Sequence, residues 1–298
     1  MPAKKKTAEL SPENRHKKLE AESSFEFFIN LVHPRRYLAN IHREVIKFLT
    51  SDDKSSHQII LLPRDHGKSA IAGYYAAWRV IQNPSIRILY ISSTSNLATK
   101  QLKFIKDILA SDTVRLYWPE LVNREEAKRE KWTEREVSVD HPQRKADAIR
   151  DPTIFTAGLT TNIVGMHCDL KIMDDVVVST NAYIETNREK VKEQYGYLAS
   201  IGGAEDEEVI VGTRYHPLDL YSDLMEKNVE LYDEFGNKTS TRPLFSTFER
   251  QVETAGDGTG EFLWPRTKAP DGRWYGFNQE VLASKRASYS AHPTHFRA

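Results

Sequence analysis

Residues 62–69 read Leu-Pro-Arg-Asp-His-Gly-Lys-Ser, directly after an apolar run at Gln58–Leu62 (QIILL) and directly before Ser69–Val80, a stretch rich in alanine and aromatic residues. A strand, a tight loop and a helix in that order bring backbone N–H groups and the positive end of a helix to one point. That is what an anion such as phosphate requires. In such a loop Lys68 neutralises phosphate charge, and the Ser69 hydroxyl offers an oxygen to Mg²⁺. Of the pattern G-x-x-x-x-G-K-[ST], the Gly67-Lys68-Ser69 core is present, with Leu62 where the first glycine would stand.

Outward from this loop the chain alternates strand-like and helix-like segments. Ile41–Leu49 (IHREVIKFL) has its apolar residues at helical spacing, Ile86–Ile91 (IRILYI) reads as a buried strand, and Asn96–Ala110 is amphipathic. Arg124–Glu136 is a dense mixed-charge stretch, read as a solvated helix or loop. Further strands are expected at Ile154–Ala157, Asp169–Met173 and Glu208–Gly212. The alternation predicts an α/β fold with a mostly parallel central sheet flanked by helices.

Two further strand ends carry chemistry. Asp169–Val178 reads DLKIMDDVVV, an apolar strand closing on two carboxylates. With a phosphate loop upstream, Asp174 is placed to hold Mg²⁺ through water and Asp175 to orient or deprotonate an attacking water. Val209–Tyr221 reads VIVGTRYHPLDLY, so Thr213 and Arg214 leave a third strand at the same edge, where open α/β sheets place their ligands. Thr213 is a candidate for sensing the terminal phosphate and passing the signal on.

The 298 residues carry 42 basic and 42 acidic side chains, so no global positive field marks a nucleic-acid partner, and any such contact must be local. One cysteine, Cys168, excludes an intrachain disulfide framework and, with scattered histidines, a zinc framework. No apolar run approaches the roughly 18 residues of a membrane span. Residues 1–24, with Lys4, Lys5, Lys6, Arg15, Lys17 and Lys18, read as a flexible basic arm. Order is expected from about Phe25, and Gly256–Gly276 reads as a turn-rich appendage.

PRDHGKS, DLKIMDDVV and VIVGTRYHPLDLY, in this order and spacing, resemble the large terminase subunits of tailed bacteriophages. IHREVIKFL, ILYISSTSNLATKQL, NAYIETNREKVKEQY and FLWPR extend the resemblance over residues 25–298. It implies a P-loop NTPase of the ASCE, RecA-like type that uses ATP and Mg²⁺, with one strand between the phosphate-loop and acidic-pair strands. Residues 25–240 would be the ATPase core and 241–298 a small C-terminal appendage or lid leading to a nuclease domain absent from this chain.

Residue by residue, the resemblance makes Arg64, Asp65, His66, Gly67, Lys68 and Ser69 nucleotide contacts. His42 falls at the adenine-reading position. Lys68, Arg64 and Asp175 become catalytic, Ser69 and Asp174 metal-side groups, and Thr213 and Arg214 coupling residues. Asp175 stands where many such motors have glutamate. An arginine commonly precedes the acidic strand and reaches the neighbouring subunit's nucleotide, but NIVGMHCD at 162–169 has none, which leaves Arg144, Arg150 and Arg188 as candidates.

The implied partners are double-stranded DNA, the portal protein of the procapsid and the small terminase subunit, with a ring of copies on the portal and a monomer in isolation. The implied place is the cytoplasm of a phage-infected bacterium, away from membranes. Two alternatives are a helicase-type DNA-dependent ATPase and a nonhydrolysing P-loop scaffold that binds DNA or a capsid protein. A helicase needs a second RecA-like unit, and no phosphate-site pattern recurs after about residue 220.

Overall fold

Runs such as IILL at 59–62 and ILYI at 88–91 do not alternate with charged residues, as strands covered on both faces must not. In the computed structural model they form the middle of one large sheet. The structure describes residues 10–51, 55–161, 163, 165–198, 201–256 and 258–288. The first half comprises α1 (Pro12–Ser23), α2 (Phe25–Val32), α3 (Asn40–Leu49), β1 (His57–Leu61), α4 (Lys68–Gln82), β2 (Ile88–Ser92), α5 (Ser95–Leu109) and α6 (Asp112–Tyr117). Next come β3 (Lys131–Trp132), β4 (Glu136–Ser138), α7 (Pro142–Ala146), β5 (Ile154–Gly158), β6 (Cys168–Asp174), α8 (Ser179–Ala182), α9 (Glu185–Leu198) and β7 (Gly202–Gly212). The chain continues through α10 (Leu220–Met225), β8 (Asn228–Tyr232), β9 (Lys238–Pro243), β10 (Phe245–Glu249), β11 (Thr267–Lys268), β12 (Trp274–Tyr275) and α11 (Gln279–Ser288).

The eight-stranded sheet has the order β10-β1-β7-β6-β2-β5-β4-β3. Strands β10 to β5 run parallel, and β4 and β3 add an antiparallel edge. The fold is thus the α/β architecture expected, and β7 is the single strand between the phosphate-loop strand β1 and the acidic strand β6. Register brings their ends level: Leu61 opposes Gly212, Asp174 opposes Val211, and Ser92 opposes Asp174. One face packs a core that includes Ile60, Tyr75, Leu102 and Ile172, and the other packs Ile59, Met173, Tyr195 and Leu224.

The N-terminal expectation needs correction. From residue 12 the segment read as a flexible arm is helical, capped by Ser11, whose side chain accepts from the Asn14 amide, and started by Pro12. Glu13, Arg15 and Glu20 face solvent, but Ala21 is buried and its carbonyl accepts the Trp78 indole N–H at 2.8 Å. Trp118 donates to Glu22 at 2.8 Å, and Phe25 stacks on Trp78 at 5.1 Å. Two tryptophan N–H groups therefore find their partners in this helix, which accounts for its order. Lys4, Lys5 and Lys6 lie outside the described residues.

The boundary at 240 is corrected too. β10 pairs with β1 along its whole length, so the core reaches Glu249. Beyond it, the β11–β12 hairpin and α11 fold back onto the core, and Trp264 is buried in the main cluster. The Arg124–Glu136 stretch is largely exposed, as expected, but ends in the two short edge strands. Among the described residues no helix is long and apolar enough to cross a membrane.

Removing residues 1–23 uncovers Trp78 and Phe25 and strands two buried N–H donors. It should lower the unfolding free energy by roughly 2–5 kcal/mol in urea titrations. An unchanged midpoint would restore the view of this segment as a dispensable arm.

Candidate functional site

The loop between β1 and α4 turns sharply enough to need two left-handed residues. Gly67 caps α4 at φ 73°, and a Cβ there would sit 3.0 Å from His42 Nε2, so glycine is required on both counts. Asp65 also has a positive φ of 64°, a conformation that aspartate tolerates better than most residues.

Behind the loop, the His42 ring is fully occupied. Its Nδ1 accepts from the Ala39 amide at 2.9 Å, which puts the proton on Nε2, 3.1 Å from the His66 carbonyl. Burial holds the imidazole neutral, pushing its pKa down to about 4. With both nitrogens spent on backbone, His42 props the loop and has no donor left to read a base, which corrects the adenine-reading role. Asp65 and His66 likewise turn away from the concave side of the loop. Asp65 pairs with Lys285 of α11, and the His66 ring stacks on Phe277 at 5.1 Å and 5°. What these two positions can offer a phosphate is their backbone amides.

Lys68 and Ser69 open α4, and their side chains meet the end of β6. The Ser69 hydroxyl donates to Asp174 Oδ1 at 2.7 Å, and the Tyr90 hydroxyl donates to Asp174 Oδ2 at 3.0 Å. Lys68 Nζ lies 3.5 Å from Asp175 Oδ1, a buried oxygen that makes no hydrogen bond. Asp175 reaches this place through a left-handed backbone, φ 48°, unusual for a residue other than glycine. Sequence reading placed Lys68, Ser69, Asp174 and Asp175 together, and they are together. It missed Tyr90, because an aromatic inside an apolar strand reads as core.

The third strand end differs from expectation. Thr213 is buried, and its hydroxyl donates to the Leu62 carbonyl at 3.0 Å. It braces the start of the loop instead of facing a phosphate. Arg214 turns outward to Ser222 at 3.0 Å and Glu249 at 3.7 Å. Arg64 lies over the Tyr215 ring and donates to its hydroxyl at 2.8 Å, tying the loop to the chain leaving β7. Of the candidate trans-acting arginines, Arg144 is buried and donates to the Pro84 and Ile86 carbonyls, and Arg188 to those of Ala182 and Tyr183. Both are packing staples. Arg150 is exposed.

Electrostatically the centre of the site is Asp174, 3% exposed. Burial first, and the neighbouring Asp175 second, push its pKa up to about 6, against the opposing pull of Ser69, Tyr90 and Lys68. A desolvated carboxylate beside a second one is an environment that a cation relieves. Among the described residues no group of three or more His, Cys, Asp and Glu could hold a metal alone. One or two carboxylates with a hydroxyl fit Mg²⁺, which takes few protein ligands and fills its shell with water and phosphate oxygens.

Because the folded-state pKa of Asp174 lies above its ordinary value of 3.8, its charge opposes folding at neutral pH, and the opposition fades as pH falls through about 6 toward 4. Asp174→Asn should therefore raise the thermal midpoint in chelator at pH 8, with a gain that shrinks toward pH 4. A gain equal at both pH values would show that the carboxylate is not under this strain.

No protein-family model matches the chain. Among curated proteins it is similar to the large terminase subunit of enterobacteria phage T3, 26% identical over 148 residues, which is 50% of this chain and 23% of that protein. Among solved structures it is similar to the bacteriophage HK97 large terminase, with TM-score 0.58 and 11% identity over 94% of this chain and 53% of that one. The chain thus spans about a quarter of the first relative and about half of the second. At this identity the likeness to the HK97 protein is one of fold, and it runs through nearly all of the present chain.

Proposed function

We propose that this chain is the ATP-hydrolysing motor domain of a tailed-phage large terminase, driving double-stranded DNA into a procapsid. The observation that carries the reading is the convergence of Lys68 and Ser69, from the first turn of α4, on Asp174 and Asp175 at the end of β6. Elements separated by about a hundred residues would not gather an ammonium, a hydroxyl and two carboxylates at one sheet edge for packing alone.

In this reading the amides of residues 65–69 and the α4 N-terminus receive the phosphates, and Lys68 neutralises their charge. Ser69 and Asp174 hold Mg²⁺, which when bound spreads the charge of the transferring phosphoryl group. The Ser69 proton is already committed to Asp174, so its oxygen lone pairs stay free for a cation. Asp175 orients the attacking water and accepts its proton, with Lys68 beside it at 3.5 Å. Arg64 senses the terminal phosphate, and its contact with Tyr215 carries a change there to the chain beyond β7. Thr213 keeps that chain registered to the loop through Leu62.

On this reading, which the similarity to the T3 large terminase subunit supports, DNA is the substrate, a ring on the portal the working assembly and the small subunit a further partner. The place of action is then the cytoplasm of an infected bacterium. Nuclease activity forms no part of this proposal.

Phosphate release in the presence of Mg²⁺ and DNA tests the proposal. Lys68→Ala is expected to reduce turnover by roughly 10²–10⁴-fold, and normal turnover in that variant would remove the assignment. Asp175→Asn should still bind nucleotide while hydrolysis falls at least about 10²-fold; undiminished hydrolysis would point to another base. Nucleotide binding without any hydrolysis by the parent chain, with DNA and portal present, would favour a scaffold.

A further inference from the structure

Tyr90 lies in β2, directly beside β6, and is fully buried. An aromatic residue at such a place is ordinarily present for its ring. Here the hydroxyl has a specific task as well. It comes from two residues below the strand end, where Ser92 stands opposite Asp174, and donates to Asp174 Oδ2 at 3.0 Å. Burial and the two carboxylates hold the phenol protonated, so it acts only as a donor toward Asp174. Ser69 occupies the other oxygen, Oδ1, at 2.7 Å. Two donors on separate elements, one from α4 and one from β2, hold the carboxylate against rotation. A carboxylate has about four lone-pair sites, so both oxygens keep capacity for a cation or its water.

We propose, on the reading of the site given above, that Tyr90 is a positioning residue which fixes the Asp174 carboxylate for the divalent cation. Ser69 holds only one of the two oxygens and sits in the first turn of the helix after the loop, whereas Tyr90 holds the other from β2, within the sheet. The phenol supplies an anchor on a second element, the strand next to β6. Partners of this kind, one step removed from the metal, commonly set ligand orientation and cation affinity.

The test uses the full chain and a fluorescent ADP analogue, titrated with Mg²⁺ and separately in chelator. In Tyr90→Phe the Mg²⁺ concentration for half-maximal tight binding should rise about tenfold, while affinity in chelator stays within about twofold of the parent. The ring is kept, and Lys68 and the loop amides are untouched. An unchanged Mg²⁺ midpoint overturns the proposal. So does an equal loss with and without Mg²⁺, or a variant that fails to fold, since the hydroxyl would then be a structural brace. A parent chain that shows no Mg²⁺-dependent binding removes the reading of the site itself. A parent that does, beside an unaffected variant, removes only the role of Tyr90.

Discussion

A hydroxyl in the first turn of α4 donates to a carboxylate at the end of β6, and the rest of the sheet edge is arranged around that bond. It joins the helix that follows the loop to a strand two places away in the sheet. For the bond to form, β7 must lie between β1 and β6 with its end level with both, and the register supplies this. The surroundings of that carboxylate are electrostatically unfavourable as they stand. Asp174 is desolvated, Asp175 adds a second negative charge, and the backbone of Asp175 is twisted into a left-handed conformation to bring it there. Arrangements that oppose stability and serve no packing purpose are characteristic of functional sites. The two electrostatic costs have one source, negative charge crowded into a small volume, and a divalent cation would relieve both.

The loop itself is supported from behind by groups that make no claim on a ligand. His42 spends both ring nitrogens on backbone, and its neutral state is secured by burial. Trp264 packs edge-on against His42 at 4.6 Å, and Phe277 lies flat on His66. These rings come from opposite ends of the chain. The phosphate-loop geometry therefore rests on tertiary packing as much as on the Gly67 turn, which is compatible with the loss of the first glycine of the usual pattern at Leu62.

β1, β2, β5, β6, α3, α4 and α5 were legible within a residue or two, because their apolar residues are either continuous or at helical spacing, whereas β7 starts at Gly202, six residues before the expected Glu208, in a stretch of glycine and acidic residues. α1 was not, since it buries little beyond Ala21 and is otherwise charged, so its order depends on tryptophans far along the chain. β10 was missed because Phe245–Glu249 is short and its two phenylalanines stand three apart without the alternation of a strand, although it pairs with β1 throughout. Lys68, Ser69, Asp174 and Asp175 could be found because each sits in a local pattern with a chemical reason for its neighbours. Tyr90, Tyr215 and Phe277 could not, since their importance lies in a hydrogen bond or a ring contact made across the fold. Thr213 and His42 were located correctly but given ligand-facing roles; each side chain is consumed by backbone.

The closing helix is attached to the loop at two points. Phe277, just ahead of α11, rests on His66, and Lys285, near its end, pairs with Asp65. Loop residues 65 and 66 therefore hold both ends of one rigid rod. If either residue rotates, the ring stack and the ion pair must part or the rod must swing with them. Held at two points, α11 cannot pivot about one of them, so an adjustment at the phosphate cradle carries the helix as a body.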